Sequence, residues 1–148
     1  MTLRERIQED MKSAMRAREA ERLVTIRMLL AAIKQREIDE RRTLDDPEMW
    51  GIVDKLIKQR KDSASQFMAG GRPDLAEKEE SEVAFLAVYL PEALSPAEIN
   101  TLIDEAVSIV AANGSKDMGK VLAALRPHLQ GRADMAVVAD KVKARLSH

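Results

Sequence analysis

Apolar residues return every three or four positions through almost the whole chain, and that spacing predicts helices. Leu3, Ile7, Met11 and Ala14 form the first stripe. Thr2 and Glu5 precede it as a capping box, in which each side chain can take the other residue's free amide. A second helix is predicted from about Glu19 to Glu40 on Leu23, Ile26, Leu30 and Ile33. Val24, Met28, Leu29 and Ala32 widen that stripe, as expected of a central helix packed on more than one side. Asp46-Pro47 pairs a cap with a proline in the first turn and starts a third helix. That helix carries Met49, Val53, Leu56, Ile57, Ala64 and Phe67 inward and stops at Gly70-Gly71. A fourth helix opens near Pro73, uses Leu75, Val83, Leu86 and Leu90, and ends before Pro91.

Ser95-Pro96-Ala97-Glu98 is the strongest local signal, combining cap, proline and capping-box glutamate. The helix it opens is predicted to bury Ile99, Leu102, Ile103, Ala106, Val107 and Val110, and to close at Asn113-Gly114 with Gly114 left-handed. The next stretch, GSKDMGKV, has the letter spacing of a phosphate-binding loop. Val121 stands where that loop needs a hydroxyl for magnesium, and a helix rather than a strand precedes it, so the loop is excluded. A short helix is predicted from about Lys116 to Leu125, where Pro127 disturbs it. Gly119 is expected to permit a close helix contact. After the turn Gly131-Arg132-Ala133-Asp134, the last helix uses Met135, Val138, Val142 and Leu146. The pattern predicts an all-α protein: an N-terminal domain of about four helices over 1–92 and a C-terminal three-helix domain over 93–148. The short connection between them predicts halves that dock.

Composition narrows the function. With 148 residues and 45% hydrophobic content, the chain can bury one core or two small ones. Its 24 Lys and Arg nearly cancel 25 Asp and Glu, so attraction to a polyanion must come from a local patch. No cysteine is present, which removes thiolate chemistry and disulfides. The amphipathic start MTLRERIQEDMKS has no apolar signal region, and no run approaches the ~18 apolar residues of a membrane span. These features predict a cytoplasmic protein with no membrane contact.

Candidate chemistry is thin. His128 has no second ligand near it in sequence, and His148 is terminal, so no metal site is expected. Lys61 and Ser65 stand four apart with Ser63 between them, but a Ser–Lys nucleophile also needs an oxyanion hole. Glu77, Glu79, Glu80 and Glu82 spread around a helix and read as a solvated face. Neither a catalytic residue nor a cofactor is expected. Basic residues say more. Lys116, Lys120, Arg126, Arg132, Lys141, Lys143 and Arg145 outnumber Asp117, Asp134 and Asp140 after residue 115. Lys116 and Lys120 are predicted to share one helix face, as are Lys141 and Arg145. The basic residues of the N-terminal part mostly have acidic neighbours, and no aromatics interleave them for base stacking. An RNA partner would then be read through its backbone and shape.

The segments TIRMLLAAIKQREID, IKQRKDSASQFMAGGRPDLAEKEESEVAFLAVYLP and KDMGKVLAALRPHLQGRAD together resemble the GatB/YqeY family, in particular its small free-standing YqeY-like proteins. The resemblance covers essentially the whole chain. Residues from about Ser95 onward resemble the tail domain of GatB, the subunit of the tRNA-dependent amidotransferase that acts on mischarged tRNA. That tail is implied to engage the tRNA body while the chemistry sits elsewhere, and 148 residues leave no room for the catalytic portion. The resemblance therefore implies a non-catalytic accessory module that binds tRNA or a similar structured RNA. Lys116, Lys120, Arg132, Lys141 and Lys143 are the candidate backbone contacts. Two alternatives stand beside it. One is an adaptor whose N-terminal domain docks an amidotransferase or aminoacyl-tRNA synthetase. The other is a glutamine-dependent carbon–nitrogen ligase activity of the chain itself.

Overall fold

The computed structural model describes residues 1–147, and His148 lies outside it. The described residues form α1 (Leu3–Ala17), α2 (Ala20–Glu40), α3 (Asp46–Ala69), α4 (Pro73–Ala87), α5 (Pro96–Ile109), α6 (Met118–Leu129) and α7 (Met135–Leu146), with a 3-10 turn at Ser115–Asp117 before α6. No strand occurs among them. The fold is all-α. Two compact units divide the chain, Met1–Leu90 and Pro91–His148.

Helix starts follow their caps. The boxes Thr2/Glu5 and Ser95/Glu98 are both fully formed, so the orphan amides of α1 and α5 find partners inside the chain. For α3 the cap is Asp45 rather than the expected Asp46. Asp45 accepts from the Glu48 amide while Glu48 reaches back, and Asp46 is already helical, its carboxylate accepting from the Leu3 amide at 3.4 Å.

Helix ends depart further from expectation. α1, α2, α3 and α5 all close with the same crossed pair of hydrogen bonds around one left-handed residue, which is the cap itself in α1 and α2 and the residue after it in α3 and α5. Those left-handed residues are Arg18 (φ 55°), Arg41 (φ 54°), Gly71 (φ 74°) and Ala111 (φ 50°). At α5 the amides of Ala111 and Ala112 donate to the carbonyls of Ser108 and Val107 at 3.2 and 3.0 Å. This helix therefore stops before the expected Asn113-Gly114. Gly114 has φ 84° with an extended ψ of −179°, which turns the chain into the 3-10 segment rather than closing a helix. Pro127 does not stop α6 either. It sits in the final turn, which continues to Leu129.

The N-terminal core gathers Ile7 from α1, Ile26, Leu29 and Ile33 from α2, Val53 and Ile57 from α3, and Leu86 from α4. The wide stripe of α2 packs as expected except at one position: Leu23, Leu30 and Ala32 lie against the core beside its fully buried residues. Thr25, Ile26, Leu29 and Ile33 are its buried residues, while Val24 is 60% exposed. The buried Thr25 hydroxyl is satisfied by donating to the Glu21 carbonyl one turn back, at 3.0 Å. Tyr89, just past α4, is 2% exposed; its hydroxyl donates to Asp10 of α1 at 2.7 Å, and the Arg6 guanidinium lies over its ring.

The C-terminal core is aliphatic. Ile99, Ile103 and Ala106 of α5 meet Val121, Leu125 and Leu129 of α6 and Val138, Val142 and Leu146 of α7. The Leu94 amide donates to the Arg132 carbonyl at 2.9 Å, fastening the entry of α5 to the turn between α6 and α7. Short connections make successive helices antiparallel. The start of α6 and the finish of α7 therefore lie at one end of this unit, and the α6–α7 turn lies at the other.

Candidate nucleic-acid interface

That topology sorts the candidate cations. Lys116 of the 3-10 turn, Lys120 near the start of α6, and Lys141 and Lys143 in the last turns of α7 belong to one end. Arg132 belongs to the opposite end. Its Nε is buried without a hydrogen-bond partner, and its charge helps hold the nearby Glu98 carboxyl below the usual range, after the Ser95 amide and hydroxyl. Four of the five residues thus lie on segments assigned to the same end, and Arg132 is set apart as a neighbour of the α5 cap.

Within the shared end, pairing is finer than spacing implied. Lys116 and Lys120 do not share one helix face, because Lys116 lies in the 3-10 turn and Lys120 in α6. Lys120, 73% exposed, stands 3.7 Å from the Asp117 carboxylate. Asp117 is held below the ordinary carboxylate range first by the Asn113 amide, which donates to it at 2.8 Å, and then by Lys120 and Lys116. On α7 the two lysines diverge. Residues two apart on a helix are rotated by ~200°, so Lys141 and Lys143 flank the buried Val142 on opposite sides. The Lys141 flank faces α5, because Arg145, one turn on, reaches Asp104 of α5 at 3.2 Å. Spacing pairs Arg145 with Lys141 but gives no reason to add it to the contact set. Its position beside the same end emerges only from packing.

The C-terminal unit carries seven Lys and Arg and seven Asp and Glu, so it has no net charge to draw a polyanion from afar. Among the described residues, Lys116, Arg126, Lys141 and Lys143 have no carboxylate within 4.0 Å, whereas Lys120 and Arg145 each have one. Gly119 lies in this region, yet a Cβ built there would meet nothing within 4 Å. The expected close helix contact is absent at that glycine.

The remaining candidate groups lie in the N-terminal unit or are isolated. Lys61 and Ser65 line a groove of about 370 Å³ with Ala64, Met68, Glu80 and Val83, and Ser63 is not part of its lining. Glu82 turns toward α3 and pairs with Arg60 at 3.2 Å, away from the other glutamates of α4. Among the described residues no group of three or more His, Asp or Glu converges as a metal site would require. His128 is exposed on α6, and His148 is outside the described residues.

Taken together, the described residues define an all-helical protein of two small units. Its family follows from comparison with known sequences. The chain belongs to the YqeY-like protein family, whose profile matches residues 4–146. Among curated relatives it is similar to "Altered inheritance of mitochondria protein 41, mitochondrial" of Vanderwaltozyma polyspora, 41% identical over 67% of this chain and 55% of that protein. The Lachancea thermotolerans protein of the same name is 41% identical over 66% of this chain and 54% of its own length. The Saccharomyces cerevisiae protein is 35% identical over 62% and 50%. The chain spans about half the length of the curated relatives it matches.

These names correct the expected cytoplasmic location, because the relatives are named as mitochondrial proteins. The physical reason is simple. A cysteine-free, charge-balanced helical chain suits any aqueous compartment, so its composition does not discriminate among them. No helix among the described residues is long and apolar enough to cross a membrane.

Proposed function

We propose that the chain is an accessory module that binds tRNA or a similar folded RNA through the end of its C-terminal unit where α6 starts and α7 finishes. One feature supports this reading: Lys116 precedes α6, Lys120 lies in its first turn, and Lys141, Lys143 and Arg145 lie in the last turns of α7, segments that an antiparallel α6–α7 pair brings to one end of the unit. Lysines suit phosphate oxygens as point charges, and arginine adds a planar fork. The unit offers no aromatic side chain for stacking, since all four of the chain's Phe, Tyr and Trp precede residue 91. Contacts to the backbone of a structured RNA fit better than contacts to splayed bases. The resemblance of this segment to the GatB tail supports the same partner.

Filter binding of bulk tRNA across several salt concentrations tests the proposal. Lys143→Ala should weaken binding and lower the slope of log affinity against log salt by about one. Arg132→Ala, at the other end, should leave the slope unchanged. No saturable binding at low salt would falsify the reading. A second reading, an adaptor for an amidotransferase or synthetase, rests on the groove of about 240 Å³ between α2 and α4, lined by Ala20, Glu21, Val24, Lys78 and Glu82. Val24 gives that groove an exposed apolar side chain, and a protein partner retained on the chain after RNase treatment would favour it.

A further inference from the structure

The Arg145–Asp104 pair joins α7 to α5 at the end proposed for RNA, and both side chains are open to solvent, at 50% and 66% exposure. An ion pair this exposed holds its partners weakly, because water screens the attraction and two flexible side chains must be ordered. A phosphate presented to the same guanidinium can offer two parallel charge-assisted hydrogen bonds, a better match than one Nε contact at 3.2 Å. Lys141, one turn before Arg145 on the same flank, has no carboxylate within 4.0 Å among the described residues and would share that phosphate. The unit's zero net charge gives the pair its significance, since an occupied arginine contributes little to stray attraction until a phosphate is positioned to replace Asp104.

We infer that Arg145 is a phosphate-contacting residue of the RNA surface and that Asp104 is its internal competitor, released when RNA binds. This rests on the RNA-binding reading and adds to it an exchange step at Arg145. Asp104 then sets how readily the surface accepts a polyanion.

The test is a double-mutant cycle on the full chain, with bulk tRNA as the probe and filter binding at fixed low salt. Arg145→Ala should weaken binding and lower the salt slope by about one, while Arg145→Lys should keep most of the affinity. Asp104→Asn should tighten binding by roughly 1.5- to 5-fold, the range expected when an exposed pair no longer has to be broken. In the Arg145→Ala background, that gain should shrink toward none, because Asp104 no longer has a cation to hold. Circular dichroism melts of each variant confirm that folding is intact. Equal gains from Asp104→Asn in both backgrounds would overturn the exchange, since Asp104 would then act as a plain repelling charge. An unchanged or weaker Asp104→Asn would overturn it as well. Absence of tRNA binding by the unmodified chain would instead remove the underlying reading, and the inference with it.

Discussion

Replacing Ala111 with glycine is expected to stabilise the C-terminal unit. Ala111 is held at φ 50° after α5, where its Cβ crowds the backbone. A left-handed residue with a Cβ costs ~1–2 kcal/mol relative to an unstrained one. Glycine removes that cost but gives the unfolded chain more freedom, which returns about 0.4–1 kcal/mol. At the midpoints of these ranges the net gain is about 0.8 kcal/mol. For a unit the size of Pro91–His148, each kcal/mol moves the midpoint by roughly 4–8 °C, so Ala111→Gly should raise it by ~3–6 °C. The chain's single tryptophan, Trp50, packs against the N-terminal core, so its fluorescence reports that unit, whereas far-ultraviolet circular dichroism reports both. A thermal melt followed by both probes should show a higher dichroism transition in Ala111→Gly with the Trp50 transition unmoved. Arg41→Gly, which relieves φ 54° after α2, should raise the Trp50 transition instead. A dichroism midpoint for Ala111→Gly that falls or stays put would refute the reasoning, because the strain assigned to that residue would not exist.

Three further outcomes are expected. Ser95→Ala removes the hydroxyl that accepts from the Glu98 amide and should cost the C-terminal unit about 1 kcal/mol in urea melts followed by dichroism. Tyr89→Phe leaves Asp10 without its 2.7 Å donor, and should lower the Trp50-reported stability by about 1.5–3 kcal/mol, the range for hydrogen bonds to charged groups. Glu48 is held at about 2, first by the Arg42 guanidinium and then by the Asp45 amide. Because the folded value lies below the unfolded one, this stabilisation is present above about pH 4.5 and is lost as pH falls toward 2. Glu48→Gln should flatten the Trp50-reported loss across that window, and an unchanged acid profile would count against the assignment.

Helix starts were far more legible than helix ends, for a chemical reason. A start is written in side chains, such as Thr2 with Glu5 or Ser95 with Glu98, whose oxygens bond the first amides. An end of the kind found here is written in backbone geometry, and glycine only makes that geometry easier. The end of α3 is legible because Gly71 fills the left-handed place, whereas α5 looks longer in sequence than it is because Ala111 fills it. Pro127 misled for a related reason, since a proline in the last turn leaves only a few residues of helix beyond it. Site residues were legible as letters but not as a surface. That Arg132 lies away from the lysines, that Val142 separates Lys141 from Lys143, and that Arg145 meets Asp104 all depend on how three helices pack. Spacing along one helix does not carry that information.

The bond from the Leu94 amide to the Arg132 carbonyl has a practical consequence for dissecting the molecule. Leu94 also packs against the aliphatic core of α5, α6 and α7, so the residues ahead of the Ser95 cap are part of that unit's architecture. A fragment beginning at Pro91 would keep both ties. One beginning at Ser95 would begin life with an unanchored first helix and an orphaned carbonyl at the far turn.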